Sequence, residues 1–193
     1  MNNIKHKVFK DIDINDKFFD SLKEDYCTFN NWFSTKKFED AFVSYDDDGR
    51  IQGFLYLKIE KGCIDDVNPV IEAERILKIG TFKINAHGTK LGEQFIKIIM
   101  DYAINEDVEL CYLTIYSKQK TLIKLIENFG FNHYGYKQVE NVEDNQNILL
   151  KALQIKYDRE NMTIILDGHL CLINKFNKIE RIPEGFLLNA RCV

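Results

Sequence analysis

The stretch ILKIGTFKIN-AHGTKLGE-QFIKIIMDYAI, residues 76–104, contains the pattern that decides the fold. An apolar segment rich in isoleucine is followed by a short loop with two glycines, and then by apolar residues at helical spacing. This order predicts a strand, a loop and an amphipathic helix. Backbone N–H groups at the start of such a helix, together with the helix dipole, favour a bound anion, typically a phosphate or a pyrophosphate.

Strands and helices are predicted on both sides of this stretch. Before it come a strand at Lys7–Ile12, a helix over Asp16–Phe33 capped by Asn15 or Asp16, and strands at Phe38–Tyr45 and Ile51–Glu60 joined by an Asp48-Gly49 turn. The stretch itself contributes a strand at Glu74–Asn85 and a helix at Thr89–Ile104. After it come a strand at Val108–Tyr116, a helix at Lys118–Phe129 ended by Gly130, and strands at Phe131–Lys137 and Ile148–Tyr157. The order predicts an α/β (α+β) fold with a mixed, mostly antiparallel sheet of about seven strands flanked by helices.

The last part of the chain extends beyond this pattern. Met162–Leu166 and Leu170–Ile173, joined by Asp167-Gly168, are typical of a hairpin, and Lys178–Pro183 fits a further edge strand. We expect residues 1–157 to form one domain, and residues 158–193 to be a C-terminal hairpin extension or the start of a second module. Because an exposed apolar hairpin promotes aggregation, the tail should pack against something, for example the sheet or a second copy in a homodimer.

Length, charge and composition limit the function classes. The 193 residues include 45% hydrophobic ones and carry a net charge of −4, which argues against a general nucleic-acid binder. No apolar run is long enough for a membrane span, and the N-terminus lacks a signal-peptide core, so we expect a cytoplasmic protein without a membrane partner. The five widely spaced cysteines form no CxxC pair, which predicts reduced, buried thiols. The four scattered histidines predict no metal site.

Two segments carry a family resemblance. The hexad His87-Gly88-Thr89-Lys90-Leu91-Gly92 stands where one superfamily usually has Arg/Gln-x-x-Gly-x-Gly/Ala, and LIENFGF at Leu125–Phe131 is similar to its LYEKxGF signature. With the order of elements, these segments resemble the GNAT superfamily of acyl-CoA-dependent N-acetyltransferases over about Ile4–Leu153. The chain departs from the family at His87 and at Lys90, which replaces a glycine, so it resembles a divergent member.

The resemblance implies a site for acetyl-CoA as co-substrate. The pyrophosphate would lie on the loop and the first helical turn, and the pantetheine arm beside the end of the preceding strand. The implied residues are His87, Gly88, Thr89, Lys90, Leu91, Gly92 and Glu93 for the phosphates, Thr81, Phe82, Lys83 and Ile84 for the arm, and Gln119, in place of the usual asparagine, or Ser117 for the pantetheine.

The catalytic groups depart from the family pattern. The family's usual general acid is the tyrosine of LYEKxGF, and this chain has Ile126 there. Tyr116, Tyr134 and Tyr136 are stand-ins on neighbouring elements, and Glu74, like Glu72, is a candidate base at the start of a strand. The fold would frame the acceptor with Tyr26–Phe33, whose aromatic side chains fit a binding pocket or, more simply, core packing.

Three functions are consistent with these features. The first is an N-acetyltransferase that acts on a primary amine of a small molecule or a protein. The second is a non-catalytic acyl-CoA-binding or regulatory module, which the changes at Lys90 and Ile126 favour. The third is a GNAT-type toxin that acts on aminoacyl-tRNA, which the acidic balance disfavours because nucleic acid needs a basic face.

Overall fold

The structure is a computed structural model. It describes residues 3–85, 90–137, 146–152, 155–158, 163–166, 169–173 and 179–181. Four α-helices lie in these ranges: α1 Asp20–Asp25, α2 Phe29–Thr35, α3 Leu91–Asn105 and α4 Lys120–Glu127. The strands are β1 Asn3–Val8, β2 Asp40–Tyr45, β3 Ile51–Ile64, β4 Ile71–Ile84, β5 Leu110–Tyr116, β6 Asn132–Lys137, β7 Gln146–Ala152, β8 Ile155–Asp158, β9 Thr163–Leu166, β10 His169–Ile173 and β11 Ile179–Arg181. Short 3₁₀ turns at Phe9–Asp11 and Lys17–Phe19 complete the described elements.

Strands β1 to β7 form one sheet in the order β1-β2-β3-β4-β5-β7-β6. The pairs β1/β2, β2/β3, β5/β7 and β6/β7 are antiparallel. Strands β4 and β5 are neighbours joined through α3, which is the crossover expected of a strand–helix–strand unit. The predicted mixed, mostly antiparallel sheet with flanking helices is therefore confirmed.

The chain divides into two compact units that share these elements. The first unit consists of Met1–Lys58 and Ile79–Phe95, and the second of Ile59–Lys78 and Ile96–Val193. The first unit contains the end of β4 and the start of α3, which the sequence singles out. The predicted division into residues 1–157 and 158–193 stays a prediction.

Aromatic side chains form the core of the first unit. The buried cluster contains Phe9, Phe18, Phe19, Phe29, Phe33, Phe54 and Tyr56, together with shorter apolar residues. The ring of Phe9 lies 4.8 Å from that of Phe33 and 5.6 Å from that of Phe54, with edge-on or tilted geometry that aromatic pairs favour. Trp32 packs against this cluster and Phe33 belongs to it, so the structure places both in packing roles.

Several predicted boundaries are wrong near the N-terminus. The first strand is Asn3–Val8 and not Lys7–Ile12, because the buried Phe9 begins a 3₁₀ turn and its N–H donates to the Glu39 carbonyl at 2.9 Å. The single predicted helix over Asp16–Phe33 is a 3₁₀ turn followed by α1 and α2. Asp16 does cap this segment, since its carboxylate accepts from the Phe18 N–H at 2.8 Å. The extended backbone of Tyr26, with φ −131° and ψ 96°, then separates α1 from α2.

The C-terminal strands also differ from the prediction. The strand predicted at Ile148–Tyr157 is two strands, β7 in the seven-stranded sheet and β8 in a second, four-stranded sheet of order β11-β10-β9-β8. The hairpin of β9 and β10 and the added strand β11 match the predicted tail, although the Asp167-Gly168 link lies outside the described residues. Two of the thiols predicted to be buried, Cys27 and Cys63, are exposed, whereas Cys111 is buried.

Candidate functional site

The predicted anion site begins at the first turn of α3. The Gln94 N–H donates to the Lys90 carbonyl at 3.0 Å, so Lys90 precedes the helix and Gly92 and Glu93 lie in its first turn. N–H groups of a first turn have no carbonyl partner within their own helix, and they point out along the axis. Lys90 and Glu93 are exposed, which places a cation and an anion at this end. His87, Gly88 and Thr89 lie outside the described residues.

Gly53 on β3 determines how closely the start of α3 approaches the sheet. A Cβ atom at Gly53 would lie 2.4 Å from Cε2 of Phe95 and 3.2 Å from Cδ2 of Leu91. Both of these side chains are fully buried. The first turn of α3 therefore rests on a strand position where only glycine fits. The sequence could not reveal this contact, because Gly53 lies far from α3 along the chain.

Opposite faces of β3 contact different helices in the first unit. Gly53 faces Phe95 of α3, as its missing Cβ shows. Tyr56, three residues later, faces the other side, where its ring lies 5.7 Å from that of Trp32 in α2. Residues an odd number of positions apart face opposite sides of a regular strand, so β3 is regular here.

Strand β4 breaks this alternation at its end. A Cβ at Gly80 would lie 2.6 Å from Cδ1 of Tyr56, so Gly80 faces the α2 side of the sheet. Phe82, two residues later, should face the same way, yet its ring lies 5.7 Å from that of Phe95 on the α3 side. Lys83 then returns to the side of Gly80, because its ammonium contacts Phe18. One extra residue between Gly80 and Phe82 explains the reversal, which is the pattern of a β-bulge.

This irregularity lies in the segment Thr81–Ile84, which the resemblance assigns to the pantetheine arm. A bulge takes one residue out of the hydrogen-bond ladder and bends the strand. A backbone group that the bulge takes out of the ladder is free to bond an extended ligand instead of a neighbouring strand. The sequence could not locate the bulge, since its position depends on cross-strand contacts.

The side chain of Lys83 is engaged within the first unit. Its Nζ donates to the Phe18 carbonyl and, at 2.6 Å, to Oγ of Ser21, and it lies 4.7 Å from the centroid of the Phe18 ring. Burial lowers the pKa of the Lys83 ammonium, and the nearby carboxylates of Asp20, Asp25 and Glu24 oppose that effect. Only the backbone of Lys83 therefore fits the cofactor role that the sequence predicts.

The other predicted site residues belong to the second unit. Gln119 is exposed just before α4, and its N–H donates to the Tyr116 carbonyl at 3.0 Å. The side chain of Tyr116 is buried, with the Lys118 ammonium 5.7 Å from its ring centroid. Ile126, which replaces the family's tyrosine, is fully buried. No hydroxyl is therefore present at the usual acid position.

Two further catalytic candidates have other partners. The hydroxyl of Tyr134 donates to the Val70 carbonyl at 2.8 Å, so acid catalysis by Tyr134 would require that bond to break. Glu74 is exposed near the beginning of β4, and its own N–H donates to Oε1 of Glu109 at 3.0 Å. Within the described ranges no three His, Cys, Asp or Glu side chains are grouped as metal ligands. None of the helices in the same ranges is long and apolar enough to cross a membrane.

A polar cluster in the second unit was not predicted from the sequence. The hydroxyl of Tyr112, fully buried on β5, donates to Oε2 of Glu60 at 2.6 Å. The ammonium of Lys78 lies 3.6 Å from Oε1 of Glu60 and 5.5 Å from the centroid of the Tyr112 ring. Burial and the Glu60 carboxylate both raise the pKa of Tyr112. Residues on three strands meet here, and only the sheet order reveals it.

Comparisons with known proteins identify the fold. No family model and no curated protein sequence matches the chain. Among solved structures, NAA60 of Arabidopsis thaliana aligns with a TM-score of 0.56 at 14% identity, over 78% of this chain and 98% of that chain. A GNAT-family acetyltransferase from Streptococcus pneumoniae aligns with a TM-score of 0.55 at 12% identity, over 79% of this chain and 99% of that chain. The chain has the GNAT fold.

A third structure agrees with this assignment. The NatC complex aligns with a TM-score of 0.50 at 17% identity, over 79% of this chain and 99% of that chain. The GNAT resemblance inferred from the order of elements is thereby confirmed at the level of fold. At such low identity the likeness establishes the fold, and activity has to be argued from the site.

Proposed function

We propose that this GNAT-fold chain is an N-acetyltransferase that moves an acetyl group from acetyl-CoA to a primary amine of a small molecule or a protein. The observation that carries the proposal is the bulge at Gly80–Lys83, followed along the chain by the start of α3 at Leu91. Such a bulged strand suits an extended pantetheine arm, and a helix start suits a pyrophosphate.

Ligands of the structural neighbours support this choice. The NatC structure contains CoA and a Gag peptide, and the NAA60 structure contains a bisubstrate analogue. Both substrate classes in the proposal, a CoA thioester and an amine acceptor, are therefore compatible with the fold. The free thiols of Cys27 and Cys63 are consistent with a reducing compartment, and we propose the cytoplasm.

The proposed chemistry forms a C–N bond and breaks a C–S bond. The neutral amine attacks the thioester carbon, the oxygen gains negative charge, and the departing sulfur takes up a proton while the amine nitrogen loses one. A backbone N–H on the bulged part of β4 is our candidate for stabilising the oxygen. Tyr116 and Tyr134 remain the candidates for protonating sulfur, Glu74 remains a candidate base, and Gln119 a candidate for holding the arm.

A non-catalytic acyl-CoA-binding module is the second candidate function. The observation that favours it is the fully buried aliphatic side chain of Ile126, which cannot supply a proton. Action on aminoacyl-tRNA has no such support, because the chain carries a net charge of −4.

Calorimetry with acetyl-CoA, followed by thiol release in the presence of a panel of amines, tests the proposal. We expect saturable binding below about 1 mM and amine-dependent thiol release, as is usual for enzyme substrates. Binding without release would favour the non-catalytic module. Absence of binding at about 1 mM would contradict both candidates.

Opposite charge changes at the start of α3 test the phosphate position. Lys90→Gln should weaken acetyl-CoA binding about two- to fivefold, because a cation near the phosphates is lost, and Glu93→Gln should tighten it by a similar factor because an anion is lost. Both side chains are exposed, so the fold should tolerate either change.

The matched control is Lys10→Gln, which removes the same charge from an exposed lysine in the 3₁₀ turn after β1. We expect it to leave the dissociation constant unchanged in calorimetry at low ionic strength. Shifts of the same sign in Lys90→Gln and Glu93→Gln would mean that the phosphates bind elsewhere.

A further inference from the structure

The ammonium of Lys83 connects strand β4 with the beginning of α1. Its hydrogen bonds to the Phe18 carbonyl and the Ser21 hydroxyl reach across 65 and 62 positions of the chain. Phe18 lies in the 3₁₀ turn that leads into α1, and Ser21 lies in the first turn of α1. A charged donor makes stronger hydrogen bonds than a neutral one, so this contact fixes the start of α1 on β4.

The surroundings of Lys83 show that the contact depends on its charge. Asp20, Glu24 and Asp25 on α1 are the carboxylates that act on the Lys83 ammonium. The ammonium also lies over the face of the Phe18 ring, which attracts a cation. A neutral side chain of similar length would keep the packing and lose these attractions.

The backbone of Lys83 has a different role from its side chain. In the proposed function, Thr81–Ile84 bonds the pantetheine arm through backbone groups. Since backbone and side chain share one Cα, the start of α1 is held within a lysine side chain's length of that arm. The contact therefore sets the position of α1 beside the path of the thioester.

We propose that Lys83 is a positioning residue for acyl transfer, which holds the start of α1 against the cofactor strand so that the acceptor amine meets the thioester in a reactive geometry. This inference rests on the proposed function. Lys83 touches neither the reacting carbon nor the amine in this account. It acts through Phe18 and Ser21, and small displacements of a reactant by such a support cost rate more than affinity.

The test compares Lys83→Met with Lys83→Arg and Ser21→Ala. Lys83→Met should lower kcat about tenfold or more and leave the dissociation constant of acetyl-CoA within about twofold of the original. Lys83→Arg keeps the charge and should recover a large part of kcat. Ser21→Ala removes one of the two acceptors and should give a smaller loss of the same kind, in a chain whose fold it hardly disturbs.

Lys23→Met is the matched control. Lys23 is on α1, and its ammonium lies 3.6 Å from the Asp20 carboxylate. The substitution therefore removes the same charge near the same acids, at a side chain that does not bond to Phe18 or Ser21. We expect its kcat to be unchanged. An equal loss of kcat in Lys23→Met, or an increase in the acetyl-CoA dissociation constant that matches the loss of kcat in Lys83→Met, would overturn the inference.

Hydrogen exchange separates this inference from the proposed function. Amides of the 3₁₀ turn and α1 should exchange faster in Lys83→Met than in the original chain, with or without turnover. Failure of the original chain to bind acetyl-CoA overturns the proposed function. Turnover by the original chain with an unchanged kcat in Lys83→Met overturns the positioning role alone.

Discussion

Gly53→Val is expected to destabilise the chain and to weaken acetyl-CoA binding at least about tenfold. A Cβ at this position would lie 2.4 Å from Cε2 and 2.9 Å from Cζ of Phe95, distances that real contacts do not reach. Because Phe95 is fully buried, its ring has no solvent-filled space to enter. Overpacking of this kind costs about 1–3 kcal/mol of unfolding free energy. The least restrained response is an outward shift of the first turn of α3.

That shift links stability to the proposed site. If the first turn of α3 binds the pyrophosphate, moving it loses hydrogen bonds to charged oxygens, each worth about 1.5–3 kcal/mol. Binding should then weaken at least about tenfold, beyond the loss of folded protein. Thermal unfolding and calorimetry on the same sample, at a temperature where the variant is folded, measure both effects.

A second-site change distinguishes crowding from other causes. Phe95→Leu removes the ring atoms that a Cβ at Gly53 would meet, so the double variant Gly53→Ala with Phe95→Leu should be less impaired than the sum of the two single variants. Additive losses would show that Gly53 and Phe95 do not interact. Unchanged binding in a folded Gly53→Val would place the phosphates away from α3.

The sequence predicted the fold because local signals agreed along Ile76–Ile104. The period of apolar residues changes from that of a strand to that of a helix, and a glycine-containing loop marks the change. The observed elements, β4 Ile71–Ile84 and α3 Leu91–Asn105, match these signals within a few residues. The turn after α4 was equally readable, since Gly130 adopts φ +83° as a helix-ending glycine should.

Long-range contacts account for what the sequence did not predict. The bulge between Gly80 and Phe82 is recognised from the side of the sheet on which each residue makes its contacts, and no local sequence pattern predicts those contacts. The break between α1 and α2 is similar, because the apolar spacing continues through Tyr26 although its backbone is extended and its side chain packs against the aromatic cluster. Lys83 and Phe18 are also far apart in sequence. The sequence alone therefore could not show that the Lys83 side chain binds elsewhere while its backbone is assigned to the cofactor.

The candidate catalytic residues were predicted less well for a chemical reason. Tyrosine and glutamate are common on strands, and only their hydrogen-bond partners distinguish a reactive group from a structural one. The Tyr134 hydroxyl donates to the Val70 carbonyl, whereas Tyr112, which sequence reasoning did not select, belongs to a buried polar cluster with Glu60 and Lys78. The contribution of the Tyr112 hydroxyl can be tested by measuring the stability of a variant that lacks it.

Tyr112→Phe is expected to lower the free energy of unfolding by about 1–3 kcal/mol at neutral pH. The change removes the hydroxyl that donates to Oε2 of Glu60 at 2.6 Å, in a cluster where the Lys78 ammonium lies 3.6 Å from Oε1 of the same carboxylate. The phenyl ring still fills the buried volume, so the loss comes from the removed hydrogen bond and not from a cavity. Chemical denaturation at pH 7 measures it, with Tyr136→Phe, which removes an exposed tyrosine hydroxyl, as the control.

The pH dependence of the same variant tests the cause. Burial and the Glu60 carboxylate raise the pKa of Tyr112 above the unfolded value of 10.0. A raised pKa means that the stabilisation by this group is fully present below the unfolded pKa and is lost as pH rises past it towards the folded one. The difference in unfolding free energy between the original chain and Tyr112→Phe should therefore shrink above about pH 10. A difference that stays constant into that range would show that the buried hydroxyl is not held against ionisation by Glu60, and that the loss at neutral pH comes from packing.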